Sequence, residues 1–284
     1  MKKLKLIVTS ILAAFALALS LGSCSSNKTI TVCASDVPHA EVLENCVKDL
    51  VKAKGYTLKV TILDWTMQND AVAKGDYDAN YFQHIPYLET YKGTTKLTAT
   101  CKVHYEPLGI YRGKATGELG AGSFEICNDT SNAIRAFQLL TAKGVISKAN
   151  EGTNFPYNDA GDALTFEGST WHSADNSVTV TLIEESLLVS SLADYDFACL
   201  PCNTAYTGKV SSDLRVAKED DPTQVSSKAN ILAVRADDYK NKAEYKTKID
   251  ILTDALLSKE VSDYFNEKYL GAMTCDSSTQ IDLR

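Results

Sequence analysis

The strongest constraint on the fold is an alternation of short β-branched segments with stretches of helical periodicity. Residues 30–34 (ITVCA) predict a strand, and Ser35, Asp36 and Pro38 are residues that begin helices. Apolar residues then recur at helical spacing until Gly55, and residues 58–63 predict a second strand. A strand, a helix and a second strand in this order indicate a parallel sheet with helices on its faces.

The same pattern recurs along the rest of the chain. Further strands are expected at 124–127, 178–182, 195–200 and 230–235. Further helices are expected around 134–140, 184–192, 245–257 and 259–269. Between residues 147 and 177 the periodicity fails, and Gly, Asn, Asp and Ser dominate. This region therefore predicts a long loop with one short hairpin.

The N-terminus has the three parts of a secretory signal peptide. Three lysines precede an apolar run at 6–21 that is too short to span a bilayer comfortably, and the sequence LGSC follows, ending at Cys24. This pattern predicts cleavage after residue 23 and lipids on Cys24, with 24–29 as a lipidated tether. An uncleaved helical anchor is the alternative. The expected location is the extracytoplasmic face of a cell membrane.

The charge of the mature chain argues against a nucleic-acid partner. Without the three lysines of the signal peptide, the 29 basic residues become 26, against 36 acidic ones, which leaves a net charge of −10. The length suits one two-lobed unit or two small domains.

Eight cysteines are many for an exported chain of this size. Apart from Cys24, the mature chain holds Cys33, Cys46, Cys101, Cys127, Cys199, Cys202 and Cys275. Six could pair in an exported protein, but a large chain needs no such cross-links, so mostly reduced, buried thiols are expected.

Cys199 and Cys202 form a CxxC motif after a predicted strand. Such a motif can support thiol–disulfide exchange, which is the rival function.

Motifs for hydrolysis or metal binding are missing from the sequence. It contains neither GxSxG nor HExxH, and the four histidines (His39, His84, His104 and His172) show no metal-ligand spacing. A metal-binding lipoprotein would need a cluster of histidines and carboxylates, of which the sequence gives no sign. We therefore expect neither enzyme activity, nor a cofactor, nor a bound metal.

Five segments carry a family resemblance. They are PHAEVLE (38–44), KGDYDANYFQHIPYL (74–88), VHYEPLGIY (103–111), NDTSNAIRA (128–136) and ANILAVR (229–235). Together they resemble the substrate-binding lipoproteins of bacterial methionine ABC importers, in the same order and over nearly the whole mature chain. The resemblance implies a two-lobed α/β fold like that of type II periplasmic binding proteins, with a ligand cleft between the lobes. Lobe 1 would comprise 30–108 and 230–284, and lobe 2 would comprise 109–229.

The resemblance also implies a ligand, L-methionine, and residues that bind it. The expected ligand-binding residues are Trp65, Phe82, His84, Tyr87, Arg135, Asn203 and Asn230. The forked guanidinium of Arg135 suits a carboxylate, and the asparagines would lie against the polar end of the ligand. Aromatic walls suit a thioether. If 81–84 is extended, Tyr81 and Gln83 would point away from the cleft.

Two departures from the family pattern bear on selectivity. Trp65 stands where the family usually has tyrosine, and PCNTA at 201–205 replaces the usual NGNYA. Another amino acid or a methionyl peptide is therefore an alternative ligand. The implied partners are an ABC permease with its ATPase and, through the lipid, a membrane. The chain is expected to be a monomer.

Overall fold

The computed structural model describes residues 28–221, 226–269 and 272–284. The predicted signal peptide and Cys24 lie outside the described residues. The first strand already begins at Thr29, the last residue of the predicted tether. Within the described ranges, none of the helices combines the length and the apolar character needed to cross a bilayer.

The chain forms two six-stranded sheets, with strands numbered in chain order. The first contains β1 (Thr29–Ala34), β2 (Thr57–Ile62), β3 (Ala79–His84), β4 (Leu97–His104), β11 (Asn230–Arg235) and β12 (Ile281–Asp282), in the order β12-β4-β11-β3-β1-β2. The second contains β5 (Leu108–Arg112), β6 (Gly122–Cys127), β7 (Thr170–His172), β8 (Val178–Ile183), β9 (Phe197–Pro201) and β10 (Arg215–Lys218), in the order β10-β5-β9-β6-β8-β7.

Both sheets are mixed. The predicted parallel units are present, since β1 pairs in parallel with β2 and β3, and β6 pairs in parallel with β8 and β9. Antiparallel strands are added where the chain passes between the sheets: β11 runs antiparallel to β3 and β4, and β5 runs antiparallel to β9 and β10.

Helices flank both sheets. The first helical stretch comprises Asp36–Ala40, in which Val37 has an extended backbone, a π-helical turn at Leu43–Val47 and α1 (Lys48–Ala53). The others are α2 (Trp65–Lys74), α3 (Ile85–Thr90), α4 (Thr130–Ala142), α5 (Lys148–Glu151), α6 (Leu188–Ser191), α7 (Cys202–Thr207), α8 (Ala236–Asn241), α9 (Ala243–Leu256) and α10 (Lys259–Tyr269). Short 3-10 turns lie at Gly152–Asn154, Glu185–Leu187, Leu192–Asp194 and Ser212–Leu214.

Two of the predicted segments have a different structure from the one expected. The helix expected at 184–192 is broken into two 3-10 turns with only α6 between them. The hydroxyls of Ser190 and Ser191 both donate to the carbonyl of Leu187, and such side-chain bonds compete with regular helix. The expected loop at 147–177 contains α5 and also β7, which pairs antiparallel with β8 as a hairpin.

Each sheet has its own hydrophobic core. In the first, Val32 and Leu232 of the sheet pack with Ile249 and Phe265 from α9 and α10, and all four are fully buried. In the second, side chains from both faces of the sheet are buried, including Phe124, Phe137 and Trp171 on one face and Leu188 and Leu200 on the other. Full burial of one such side chain contributes about 1.5–3 kcal/mol.

The connections between the sheets position the functional site. Only residues 105–107 join β4 of the first sheet to β5 of the second, and the chain returns between β10 and β11. The ends of β1, β3 and β9 thereby reach one cleft, together with the first two turns of α4. Ligands of α/β proteins commonly bind beyond the carboxyl ends of strands.

Candidate ligand-binding cleft

A cleft of about 560 Å³ lies between the two sheets. This volume is in the range of small-molecule sites. All seven residues expected from the sequence line it, namely Trp65, Phe82, His84, Tyr87, Arg135, Asn203 and Asn230. They come from α2, β3, α3, α4, α7 and β11, so residues far apart in the chain share one wall.

Three aromatic side chains form one part of the wall. The ring of Tyr87 contacts the rings of Trp65 and Phe82 at centroid distances of 5.4 and 5.7 Å, edge to face in both pairs. Aromatic pairs favour this arrangement. All three side chains are only half-buried, so they present an apolar, polarisable surface to the cleft.

A β-bulge at Phe82 modifies the expected alternation of β3. Opposite β11, Ile231 pairs with Gln83 and Leu232 pairs with Tyr81, which leaves Phe82 as the extra residue. Tyr81 turns into the first core as expected, whereas Gln83 lines the cleft. The side-chain amide of Gln83 bonds to Asn69 and Asn80, which do not line the cleft, so the bulge turns Tyr81 and Gln83 to different neighbours.

His84 joins the two sides of the cleft. Its Nδ1 accepts a hydrogen bond from the backbone N–H of Tyr87 at 3.1 Å, so the proton lies on Nε2. Nε2 then donates to the side-chain oxygen of Asn132 on α4 at 3.3 Å. Burial and the nearby charge of Arg135 lower the pKa of His84 to about 4, so the ring is neutral at pH 7.

Arg135 lies in the cleft wall, and protein oxygens already bind much of its guanidinium. Nε donates to Oε1 of Glu219 at 2.9 Å, and Nη2 donates to Oε2 at 2.5 Å, which makes a bidentate ion pair. Nη2 also donates to the backbone carbonyl of Glu106 at 2.7 Å. A guanidinium has five N–H groups. Nε and Nη2 supply the three that make these bonds, so the two on Nη1 take no part in them.

Glu219 anchors the segment that returns to the first sheet. Its carboxylate also accepts hydrogen bonds from Lys228 Nζ at 3.1 Å, from the Tyr105 hydroxyl at 2.5 Å and from the backbone N–H of Leu108 at 2.9 Å. Burial would raise the pKa of this carboxyl. The charges and hydrogen bonds of Arg135 and Lys228 outweigh burial and hold the pKa well below its usual range.

A chain of buried hydrogen bonds leads from Asn230 into the first sheet. The Asn230 oxygen lies 3.1 Å from Nε2 of His39, and the same nitrogen lies 3.4 Å from Oε1 of Glu106. Nε2 of His104 lies 2.7 Å from the same Oε1 of Glu106. Nδ1 of His104 lies 2.5 Å from the Tyr81 hydroxyl. Since the neighbours of each Nε2 are oxygens, both Nε2 atoms carry the proton and donate.

This chain corrects one expectation. Although the histidines are scattered in the sequence, the fold does bring a histidine–carboxylate cluster together. The ligand-type atoms of His39, His104 and Glu106 lie within 4.8 Å of one another, a spacing at which a metal ion could be held. The hydrogen bonds from His104 to Glu106 and from His39 to Asn230 account for the arrangement without an ion.

Burial is the largest cause of the shifted pKa values in this cluster. It lowers the pKa of His39 to about 4 and that of His104 to about 3, so both rings are neutral at pH 7. It raises the pKa of Glu106 to about 7, against the opposing influence of His39 and Arg135.

Asn203 lies at the start of α7, directly after β9. Among the residues that the structure describes, its side-chain oxygen is buried and has no hydrogen-bond partner. A buried unsatisfied acceptor costs about 1–3 kcal/mol, so a donor supplied by a ligand would be favourable here.

The cysteines do not support redox chemistry. All seven cysteines of the described residues are unpaired, as expected, and all but the half-buried Cys46 are buried. Cys199 packs in the core of the second sheet, whereas Cys202 packs in that of the first. Burial raises the pKa of both thiols well above its usual value, which removes the thiolate that disulfide exchange requires.

Sequence reasoning missed several residues of the site, above all His39, Glu106, Asn132 and Glu219. The first three stand inside segments already singled out for their resemblance (PHAEVLE, VHYEPLGIY and NDTSNAIRA), so a signal was available. Glu219 lies in no such segment, and its pairing with Arg135 spans 84 residues.

Comparisons with known proteins agree with this architecture. The family model of the NlpA lipoproteins matches residues 30–275. A protein of Bacillus subtilis named methionine-binding lipoprotein MetQ is 33% identical over 259 residues, which cover 89% of each chain. The structure of a nutrient-binding protein from Burkholderia cenocepacia bound to methionine has a TM-score of 0.71 and 27% identity, covering 87% of this chain and 99% of the other. An ABC transporter periplasmic substrate-binding protein from Coxiella burnetii has a TM-score of 0.70 and 25% identity, covering 87% of this chain and all of the other.

Proposed function

Since the chain belongs to the NlpA lipoprotein family, whose members are substrate-binding proteins and not enzymes, we propose that it captures L-methionine for an ABC importer. The observation that carries this proposal is the pairing, in one cleft, of an arginine with a cluster of three aromatic rings. These are the two features that a free amino acid with an apolar, polarisable side chain requires.

The carboxylate of the ligand would bind at the Arg135 side of the cleft. The N–H groups of Nη1 remain after Glu219 and Glu106 have taken the others. Asn230 uses its oxygen for His39, which leaves its amide NH2 as a second donor. The cationic end of the site is held in place because Glu219 fixes the guanidinium.

The thioether of the ligand would lie against Trp65, Phe82 and Tyr87. Each sulfur–aromatic contact contributes about 0.3–1.5 kcal/mol. The buried oxygen of Asn203 would accept a hydrogen bond from the ligand.

Capture would involve closure of two lobes, 30–108 with 230–284 and 109–229. Support comes from the short connection at 105–107 and from Glu219, which binds Tyr105 and Leu108 beside that connection and Lys228 on the returning segment. Few-residue connections of this kind act as hinges.

Lipids on Cys24 would hold the protein, a monomer, at the extracytoplasmic face of the membrane. There the closed form would deliver its ligand to a permease driven by an ATPase.

The test is calorimetric titration of L-methionine into the soluble form that begins at Ser25, unfolded and refolded beforehand to remove carried ligand. We expect saturable binding, and we expect Arg135→Lys, which keeps the charge but loses the fork, to weaken it about 30-fold or more. Lys143→Ala is the matched control, since Lys143 follows the same helix but makes an ion pair with the exposed Asp220 outside the cleft.

Either of two outcomes would refute the proposal. If folded wild-type protein fails to bind methionine, the methionine assignment is wrong, and a panel of amino acids and methionyl peptides is titrated next. If Arg135→Lys binds as tightly as Lys143→Ala, the carboxylate does not bind at Arg135.

A further inference from the structure

Helix α7 is fixed to the second sheet but also packs against the side of the first. It follows β9 directly, and Ala205 is buried in a core of the second sheet. The hydroxyl of Thr204 donates to Oε1 of Glu185 at 2.7 Å, which ties the helix to the 3-10 turn after β8. Across the cleft, α7 contacts the 36–40 segment that follows β1. The helix therefore spans the space between the two sheets.

Cys202, the first residue of α7, is buried by the first sheet and not by its own. Cys199, three residues earlier, lies in the core of the second sheet, whereas Cys202 lies in the core of the first. Both thiols are almost fully buried, at 1% and 3% exposure. If the two sheets moved apart, Cys199 would stay buried, whereas Cys202 would lose its neighbours in the first core. The burial of Cys202 is therefore a property of the closed cleft.

Tyr206, one helical turn further on, makes a second contact across the cleft. Its ring lies edge to face against the ring of Tyr269, the last residue of α10, at a centroid distance of 5.6 Å. Aromatic pairs favour this arrangement. Tyr269 is 2% exposed and Tyr206 is 44% exposed, so Tyr206 covers Tyr269 from the solvent side. Tyr206 itself is not among the residues that line the cleft.

The surface that receives Tyr206 is held in place by its own side of the molecule. The hydroxyl of Tyr269 donates to Oε2 of Glu41 at 2.6 Å, and the ring of Tyr269 lies 5.3 Å from that of Phe265 on the same helix. Glu41 is held in turn by an ion pair with Lys268 at 3.0 Å. None of these contacts crosses the cleft, so they need not change when the cleft opens. A contact with such a fixed surface requires little ordering.

We propose that α7 is a latch that holds the cleft closed over its ligand, with Cys202 and Tyr206 as the positioning residues that pack across it. The proposal rests on the proposed function, since it requires that the two lobes open and close around a ligand. Asn203 lies between these residues in the chain and lines the cleft, where its buried oxygen has no partner among the described residues. A ligand that binds Asn203 would thus hold the same helix that makes both contacts across the cleft.

The latch should act on the release of the ligand. A bound ligand leaves only after the cleft has opened, and opening breaks the contacts of Cys202 and Tyr206 with the first sheet and its helices. Loss of one edge-to-face aromatic pair should raise the open fraction of the loaded protein about threefold to tenfold. The contacts within each core stay intact, so the fold itself should be little affected.

The experiment compares the soluble form that begins at Ser25 as wild type, Tyr206→Ala, Tyr206→Phe and Tyr264→Ala. Tyr264 is the matched control, since its ring also packs on Tyr269, at 6.3 Å, but from within α10 on the same side of the cleft. Two rates are measured on protein saturated with L-methionine. One is the rate at which iodoacetamide modifies Cys202, with Cys199 as internal reference, by mass spectrometry of peptides. The other is the dissociation rate of methionine, by stopped-flow fluorescence.

In Tyr206→Ala we expect both the modification of Cys202 and the dissociation of methionine to become about threefold to tenfold faster. Cys199 should keep its wild-type rate, which also shows that the second core of the variant is folded. Tyr206→Phe keeps the ring and should behave like the wild type. Tyr264→Ala should leave both rates unchanged, because it removes no contact across the cleft.

Three outcomes would overturn the inference. The first is that both rates in Tyr206→Ala equal those of the wild type. The second is that Cys199 becomes reactive as much as Cys202, which would indicate general loosening of the second core. The third is that Tyr264→Ala accelerates both rates as much as Tyr206→Ala does. If the wild type does not bind methionine, only the methionine assignment fails, and the same rates are measured with the amino acid found by the panel. A panel without any ligand would overturn both proposals.

Discussion

Replacing Glu219 with glutamine should destabilise the protein strongly, although the substitution changes only one atom and a charge. The Glu219 side chain is 6% exposed, and its partners Arg135 and Lys228 are 6% and 9% exposed. Tyr105 and Leu108 complete its set of donors. Glutamine would leave two buried cations facing a neutral amide.

The structure sets the size of the effect. Removing one partner of a buried ion pair costs about 3–5 kcal/mol, because the other charge stays buried without compensation. Glutamine keeps one acceptor oxygen, so we expect the lower end, about 3 kcal/mol. For a chain of this length that corresponds to a fall in the unfolding temperature of about 6–12 °C.

The stabilisation lost in Glu219→Gln should depend on pH. The pKa of Glu219 is held below its ordinary value of 4.5 in the folded state, so its contribution is complete above pH 4.5 and is lost as the pH falls further. The difference in unfolding free energy between wild type and Glu219→Gln should therefore be constant from pH 5.5 to 8 and should shrink towards pH 3.

Urea unfolding followed by circular dichroism measures this difference. The matched control is Asp220→Asn, which removes the neighbouring carboxylate in the chain. Asp220 is 70% exposed and pairs with Lys143 at the surface, so its loss should cost less than about 1 kcal/mol. Equal unfolding free energies for the two variants would refute the argument that the Glu219 network stabilises the fold.

Three further outcomes follow from the described residues. Glu125 is fully buried, one of its oxygens has no partner among them, and burial raises its pKa to about 7. Glu125→Gln should thus be more stable than wild type at pH 8 by about 2–3 kcal/mol and equal to it below pH 4.5. A difference in unfolding free energy that stays the same from pH 4.5 to pH 8, measured by urea unfolding, would contradict the prediction. Trp65 lines the cleft and Trp171 is buried in a core, so the change in fluorescence on ligand binding should vanish in Trp65→Phe and persist in Trp171→Phe. Iodoacetamide should modify Cys199 and Cys202 at least about 100-fold more slowly in the native than in the unfolded protein, as measured by mass spectrometry, and fast native labelling would restore the redox hypothesis.

The sequence alone determined the secondary structure where local periodicity was strong. The strand predicted at 230–235 has the same bounds in the structure, and the helix predicted around 259–269 begins at the same residue, since apolar spacing and end residues act within one element. The sequence also indicated the segments that line the cleft. These segments lie at the ends of strands and the starts of helices, positions that short-range patterns reveal.

The tertiary structure alone decided how the polar groups of the site are paired. The ion pair between Arg135 and Glu219, the convergence of His39 and His104 on Glu106 and the bulge at Phe82 all depend on which strands lie side by side. Periodicity cannot reveal such pairings, because the partners come from distant parts of the chain and only burial makes their pairing necessary. The sequence therefore determined which residues form the wall of the cleft. The fold determined which of their hydrogen-bonding groups are left for a ligand.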